Sequence, residues 1–159
     1  MSDVHYRFAR IVDSLPISEL WVKMCEEIAL PGRIHDTCEQ EKFMVGIIGR
    51  IHNENGCVIV ATLPVPNERR RQIVGFTVSR GIYYEFGVRD KVFQCEAVYV
   101  LPEHRNKHIG NMLLEKLEEE AICKGGGEVE FHSKFDEKLI RRYSKLGYIP
   151  HMVFYRKPV

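Results

Sequence analysis

Residues 98–110, Val-Tyr-Val-Leu-Pro-Glu-His-Arg-Asn-Lys-His-Ile-Gly, constrain the fold more than any other stretch. A β-like apolar run breaks at Pro102, a basic loop follows, and an amphipathic helical pattern begins near Ile109. A strand therefore feeds a helix through a short loop. Helix N-termini leave backbone N–H groups unpaired and carry partial positive charge, so Arg105, Lys107 and His108 around such a terminus make a seat for a pyrophosphate-like anion. The same residues also describe a plain strand-to-helix connection with solvated charges, since short phosphate-loop patterns recur by chance.

A second patterned segment, Asp136 to Tyr148, reads as a short helix. Asp136 suits the cap, Leu139, Ile140, Tyr143 and Leu146 form one apolar stripe, and Gly147 suits the left-handed position just past the end. A packing helix with Tyr143 in the core satisfies the same pattern.

In this order and spacing the two segments resemble the acyl-CoA-binding motif and the later helix of the GCN5-related N-acetyltransferases, the GNAT superfamily. That motif runs apolar-x-apolar-x-Pro-x-x-Arg-x-x-Gly-x-Gly/Ala, and Val98, Val100, Pro102, Arg105, Ile109 and Gly110 fall in register. His108 replaces the usual first loop glycine, and Asp136 replaces the asparagine that often starts the later helix. Glycine lets backbone approach phosphate closely, whereas an imidazole must point away or contribute a hydrogen bond or a charge.

The resemblance implies a fold, a cosubstrate and a set of roles. The loop from Arg105 through Asn106, Lys107, His108, Ile109, Gly110 and Asn111 would hold the pyrophosphate of acetyl-CoA. The backbone of Val98, Tyr99 and Val100 would align pantetheine, with Asp136 near it. Tyr143 would donate a proton to the departing CoA thiolate. Glu96 is the candidate base, or equally a structural carboxylate bonded to a neighbouring strand or an arginine, and Glu85 or His132 acting through water could take the base's place. A primary amine, on a small molecule or a peptide, would attack the thioester directly with no metal. The alternative is a catalytically inactive module of the same fold that binds acyl-CoA or a protein partner.

Length and composition agree with one soluble domain over residues 1–159: 45% of residues are hydrophobic and 28% charged. A formal net charge of +1 offers no global attraction for nucleic acid or an anionic membrane. Cys25, Cys38, Cys57, Cys95 and Cys123 lack Cys-x-x-Cys spacing and no signal-like apolar run precedes them, which suits a reducing, cytoplasmic setting. The histidines are not clustered as metal ligands, and no stretch approaches the roughly 20 apolar residues of a membrane span.

Hydrophobic periodicity predicts the order strand, two helices, three strands, helix, strand, helix, strand. The strands are Tyr6 to Val12, Cys57 to Leu63, Gln72 to Ser79, Phe93 to Leu101, Glu128 to Phe131 and Met152 to Arg156. Ser18 is read as the cap of a first helix bearing Leu20, Trp21, Met24, Cys25 and Ile28, ended by Pro31-Gly32. Asp36 with Glu39 resembles a capping box for a second, striped by Phe43, Met44, Ile47, Ile48 and Ile51. Ile109 to Lys124 is the third, stopped by Gly125-Gly126-Gly127. The fold class is mixed α/β, a GNAT-like, mostly antiparallel central sheet flanked by helices.

Period-two alternation places Gln94, Glu96, Val98 and Val100 on one face of their strand. Substrate choice is expected from the N-terminal helices and from the loop Arg80 to Lys91. There Tyr83, Tyr84 and Phe86 with Glu85 suit a cationic amine, or equally cover a sheet edge or a homodimer contact. Arg69-Arg70-Arg71 reads as a solvated hairpin tip, with a nucleic-acid partner the lesser reading.

Overall fold

Runs of Val, Ile, Phe and Thr separated by turns build a meander in this computed structural model, which describes residues 3–28, 37–83, 91–131 and 137–150. Strands β1 (His5–Phe8), β2 (Gly56–Pro64), β3 (Arg71–Ile82) and β4 (Lys91–Val100) pair antiparallel in that order. Strand β5 (Gly126–Phe131) joins β4 in parallel and completes a five-stranded sheet. A parallel neighbour requires a crossover, and helix α3 (Ile109–Cys123) supplies it. Helices α1 (Ser14–Ile28) and α2 (Thr37–His52) lie between β1 and β2, and α4 (Glu137–Lys145) follows β5.

The sheet separates two apolar layers. The Phe76 ring lies 6.5 Å from Phe43 of α2 and 6.3 Å from Tyr99. Its neighbour Gly75 faces the other way, where a Cβ would come 3.4 Å from Leu113 of α3. Successive strand residues point to opposite faces, so α1 and α2 cover one side and α3 the other. Trp21 stacks on Phe43 at 4.5 Å and joins α1 to α2. Ile17, Ile47, Phe76, Phe93, Leu113 and Leu117 are fully buried. Each contributes roughly 1.5–3 kcal/mol by leaving water.

Three local expectations change. The strand expected from Tyr6 to Val12 stops at Phe8, because Asp13 gathers the chain into a turn at Ile11–Asp13. Its carboxylate accepts from both Nη atoms of Arg7, at 2.6 and 2.9 Å, and from the Arg10 amide at 2.7 Å. Helix α1 then starts at Ser14, so Ser18 is not its cap. Ser18 is buried one turn inside, donates to the Leu15 carbonyl and accepts from Gln40 of α2. Arg71, third in the basic run, is tied into the sheet by bonds to Thr62 and to the Asp3 carbonyl. The final strand expected at Met152 to Arg156, the Pro31-Gly32 stop and Asp36 lie outside the described residues.

Burial alone would raise the Asp13 carboxyl, but the Arg7 and Arg10 bonds outweigh it and hold Asp13 below its ordinary value. A depressed acid stabilises the fold above its unfolded pKa, about 3.9, and loses that contribution as pH falls through the folded value. Asp13→Asn is expected to cost about 2 kcal/mol at pH 7 in urea unfolding, because the Arg7 charge loses its carboxylate partner. The gap to the parent protein should close as pH drops below about 4. A pH-independent gap would contradict this account.

Among the described residues, no helix is long and apolar enough to cross a membrane, and no three His, Cys, Asp or Glu side chains gather as a metal site.

Candidate active site

The ladder between β4 and β5 ends at Cys95 opposite Phe131, where the described part of β5 stops. Beyond it β4 runs on to Val100, and along that edge no strand pairs with it among the described residues. The other edge stays paired to β3, but the register slips. Ser79 pairs with Cys95 and Val78 with Ala97, leaving Glu96 as the extra residue of a β-bulge.

The bulge re-aims side chains. Gln94 sits opposite Arg80, whose guanidinium reaches Glu96, and Glu96 in turn meets Arg50 of α2. Cys95 points the other way and contacts Thr77, the residue paired with Val98. Gln94 and Glu96 therefore face α2, whereas Val98 and Val100 lie on the α3 side. The expectation that all four share one face is corrected, because a bulge advances the chain one residue without advancing its partner.

Both oxygens of Glu96 are engaged. Arg50 Nε donates to Oε2 at 2.9 Å and Nη2 to Oε1 at 2.8 Å, while Arg80 Nε lies 3.3 Å from Oε1. Beside this triple, a cavity of about 270 Å³ opens between α2 and the sheet, floored by Phe43, Ile47 and Val78 and rimmed by Lys42, Arg50 and Glu96. Sequence reasoning allowed an arginine partner for Glu96 but named neither of these two. The available signal was Arg50 itself, a charge three residues past Ile47 on the apolar stripe of α2.

After β4, Pro102–His104 makes one tight turn. Asn106 and His108 then adopt φ of 61° and 60°, left-handed values that Lys107 between them does not share. Asn and His are among the side chains that tolerate this region, and successive amides bent this way make an anion-binding concavity. His108 takes here the conformation glycine adopts freely. The first helical bond runs from the Met112 amide to the His108 carbonyl, so the amides of Ile109, Gly110 and Asn111 stand ahead of it at the helix terminus. No acidic residue occupies this first turn.

The side chains distribute themselves less simply. Arg105 turns toward α1, with Nη2 on Glu27 at 2.6 Å and Nε on the Val100 carbonyl at 2.9 Å. Tyr99 donates to the same Glu27, and its hydrogen bond with that of Arg105 holds the Glu27 carboxyl below its ordinary value. Lys107 folds back onto the Glu103 carbonyl. The cation that reaches the helix terminus is Arg142 of α4: Nη2 donates to Asn111 Oδ1 at 3.1 Å and lies 3.3 Å from where a Gly110 Cβ would sit. Sequence reasoning did not single out Arg142, since only packing brings α4 beside α3.

Tyr143 precedes the turn that ends α4, in which the Tyr148 amide bonds the Tyr143 carbonyl and Gly147 takes φ of 88°. That closure collects three rings. Phe131 lies 4.2 Å from Tyr143 and 4.9 Å from Tyr148, whose hydroxyl donates to Glu118 of α3. Burial raises the Tyr143 pKa, so the phenol stays protonated through neutral pH. Tyr143 thus packs on Phe131, the last described residue of β5, and Glu96 follows Phe131's ladder partner Cys95 and faces α2. Asp136, Glu85, His132, Tyr84 and Phe86 lie outside the described residues. Tyr83 is exposed, with Lys91 Nζ 6.0 Å from its ring.

This strand, tight turn and helix terminus belong to a recognised pattern: the model of the acetyltransferase (GNAT) family matches residues 21–148. The chain belongs to the GNAT family. An acetyltransferase of Trypanosoma brucei superposes with a TM-score of 0.70 at 22% identity, covering 99% of this chain and 100% of that one. Glucosamine-6-phosphate N-acetyltransferase of Arabidopsis thaliana gives 0.72 at 17%, over 98% and 97%. An aminoglycoside N-acetyltransferase in complex with CoA gives 0.74 at 15%, over 100% and 97%. At these identities the likeness establishes the GNAT fold. No curated protein sequence matches significantly.

The buried thiols of this GNAT chain are chemically quiet. Burial pushes Cys57 up to about 12 and Cys95 up to about 11, so neither is a thiolate at neutral pH.

Proposed function

We propose that the chain is an acyl-CoA-dependent N-acyltransferase, one domain over residues 1–159, transferring acetyl from acetyl-CoA to a primary amine. The stretch of β4 past Cys95, which no strand pairs on the β5 side among the described residues, carries this reading, because it leads to the α3 terminus while Glu96 and the Phe131–Tyr143 contact stand at its start.

Acetyl-CoA supplies an activated thioester. The Asn106 to Asn111 amides, with Arg142, hold its pyrophosphate at the positive end of α3. His108 and Lys107 border that seat, and Arg105 keeps the loop in place through Glu27 and the Val100 carbonyl. The edge of Val98, Tyr99 and Val100, unpaired on the β5 side among the described residues, offers backbone groups for the pantetheine amides, with Asp136 near them. Holding the thioester beside the amine contributes through orientation alone. Tyr143, kept protonated by burial, donates to the leaving sulfur. Glu96 draws the ammonium toward the opening and accepts its proton through water, since both its oxygens already receive arginine donors.

Acetyl-CoA, CoA and 3′-dephospho-CoA test the reading in thermal unfolding. At about 100 times its dissociation constant a ligand adds roughly 2.7 kcal/mol to stability. A raised midpoint with acetyl-CoA is expected. No shift with any of the three would sink the proposal. The arginine clamp on Glu96 favours a second reading, an acyl-CoA-binding module without turnover, which predicts the same shift and no thiol release with any amine.

A further inference from the structure

We infer that the cavity beside Glu96 selects an acceptor amine that also carries an anionic group, a carboxylate or a phosphate. The inference rests on the acyltransferase reading and names the class of its acceptor. Two cations, Arg50 and Arg80, meet one carboxylate, Glu96, and a third, Lys42, lines the same cavity. An amine arrives as an ammonium ion, and such an excess of positive charge repels it unless it brings negative charge of its own.

The donors for an anion are present. A guanidinium has five N–H donors, and Arg50 spends Nε and Nη2 on Glu96, leaving Nη1. Lys42 lies two helical turns from Arg50 on the same side of α2 and makes no ion pair among the described residues. Between them stands Gly46, and a Cβ there would meet nothing within 4 Å. Packing does not demand glycine, which costs up to about 1 kcal/mol against alanine in a helix interior. Its effect is a notch between the two cations, opening on the cavity. At about 270 Å³ the space suits a small molecule better than a folded segment. Glu96 takes the ammonium end, and Lys42 with Arg50 the anionic end.

Phosphoethanolamine against ethanolamine, and β-alanine against 3-aminopropanamide, test this with acetyl-CoA by thiol release. The anionic member of at least one pair is expected to show a kcat/KM roughly 10- to 100-fold higher, as for a charge-assisted contact. The two pairs separate phosphate from carboxylate. Lys42→Gln and Gly46→Leu should each shrink that preference, while the acetyl-CoA shift in unfolding midpoint stays. Equal or better turnover of the neutral amines overturns the inference and leaves the acyltransferase reading standing. So does a parent protein that binds acetyl-CoA yet neither acylates nor, by calorimetry with CoA, binds either anionic amine. Absence of the acetyl-CoA shift removes both.

Discussion

Replacing Tyr143 by Phe is expected to lower kcat by roughly 100-fold or more while leaving the acetyl-CoA shift in unfolding midpoint unchanged. The substitution keeps the ring, and with it the 4.2 Å contact to Phe131 and the packing against Tyr148. Only the hydroxyl is lost. Burial raises its pKa, so the parent protein should keep this hydroxyl protonated, and kcat should not decline from this group below about pH 10. Thiol release under saturating acetyl-CoA and amine, followed across pH, measures both effects. A change confined to KM, or none, would place Tyr143 in the core as a packing residue.

Gly110→Glu should have the second large effect, a roughly 100-fold loss of acetyl-CoA affinity in a protein that still folds. A carboxylate in the first turn of α3 sits at the positive end of the helix and within reach of Arg142, so it favours the fold. The same charge competes directly with a pyrophosphate for the terminal amides. Titration calorimetry with acetyl-CoA measures the loss, and urea unfolding without ligand is expected to show stability held or slightly raised. Unchanged affinity would remove the pyrophosphate from this terminus. Gly110→Ala separates charge from bulk, because its Cβ approaches only a flexible arginine tip at 3.3 Å.

Much of the architecture was legible because its causes are local. Strand-forming runs, the helix after Pro102 and the Gly147 turn each follow from a few adjacent residues. The mixed α/β class and the GNAT resemblance needed only their order. At β1 the reading failed for an equally local reason that alternation does not encode: Asp13 collects Arg7 and the Arg10 amide, and the chain turns instead of extending.

The candidate site divides the same way. The loop from Arg105 to Asn111 stands out in the sequence because a helix start and its basic approach are contiguous. Which face Glu96 occupies does not, since it depends on a one-residue slip against β3, and such a slip is decided by how two strands and the layers on them pack. Arg50 meets Glu96 across 46 positions of chain, Arg105 meets Glu27 across 78, and Arg142 meets Asn111 across 31. No period or motif spans such separations. By itself the sequence determined the order of the described elements and the helix terminus after Pro102, because these are fixed by neighbouring residues. Tertiary structure alone decided which charges surround Glu96 and which cation stands over Gly110, because ion pairs between distant segments exist only after the layers have packed.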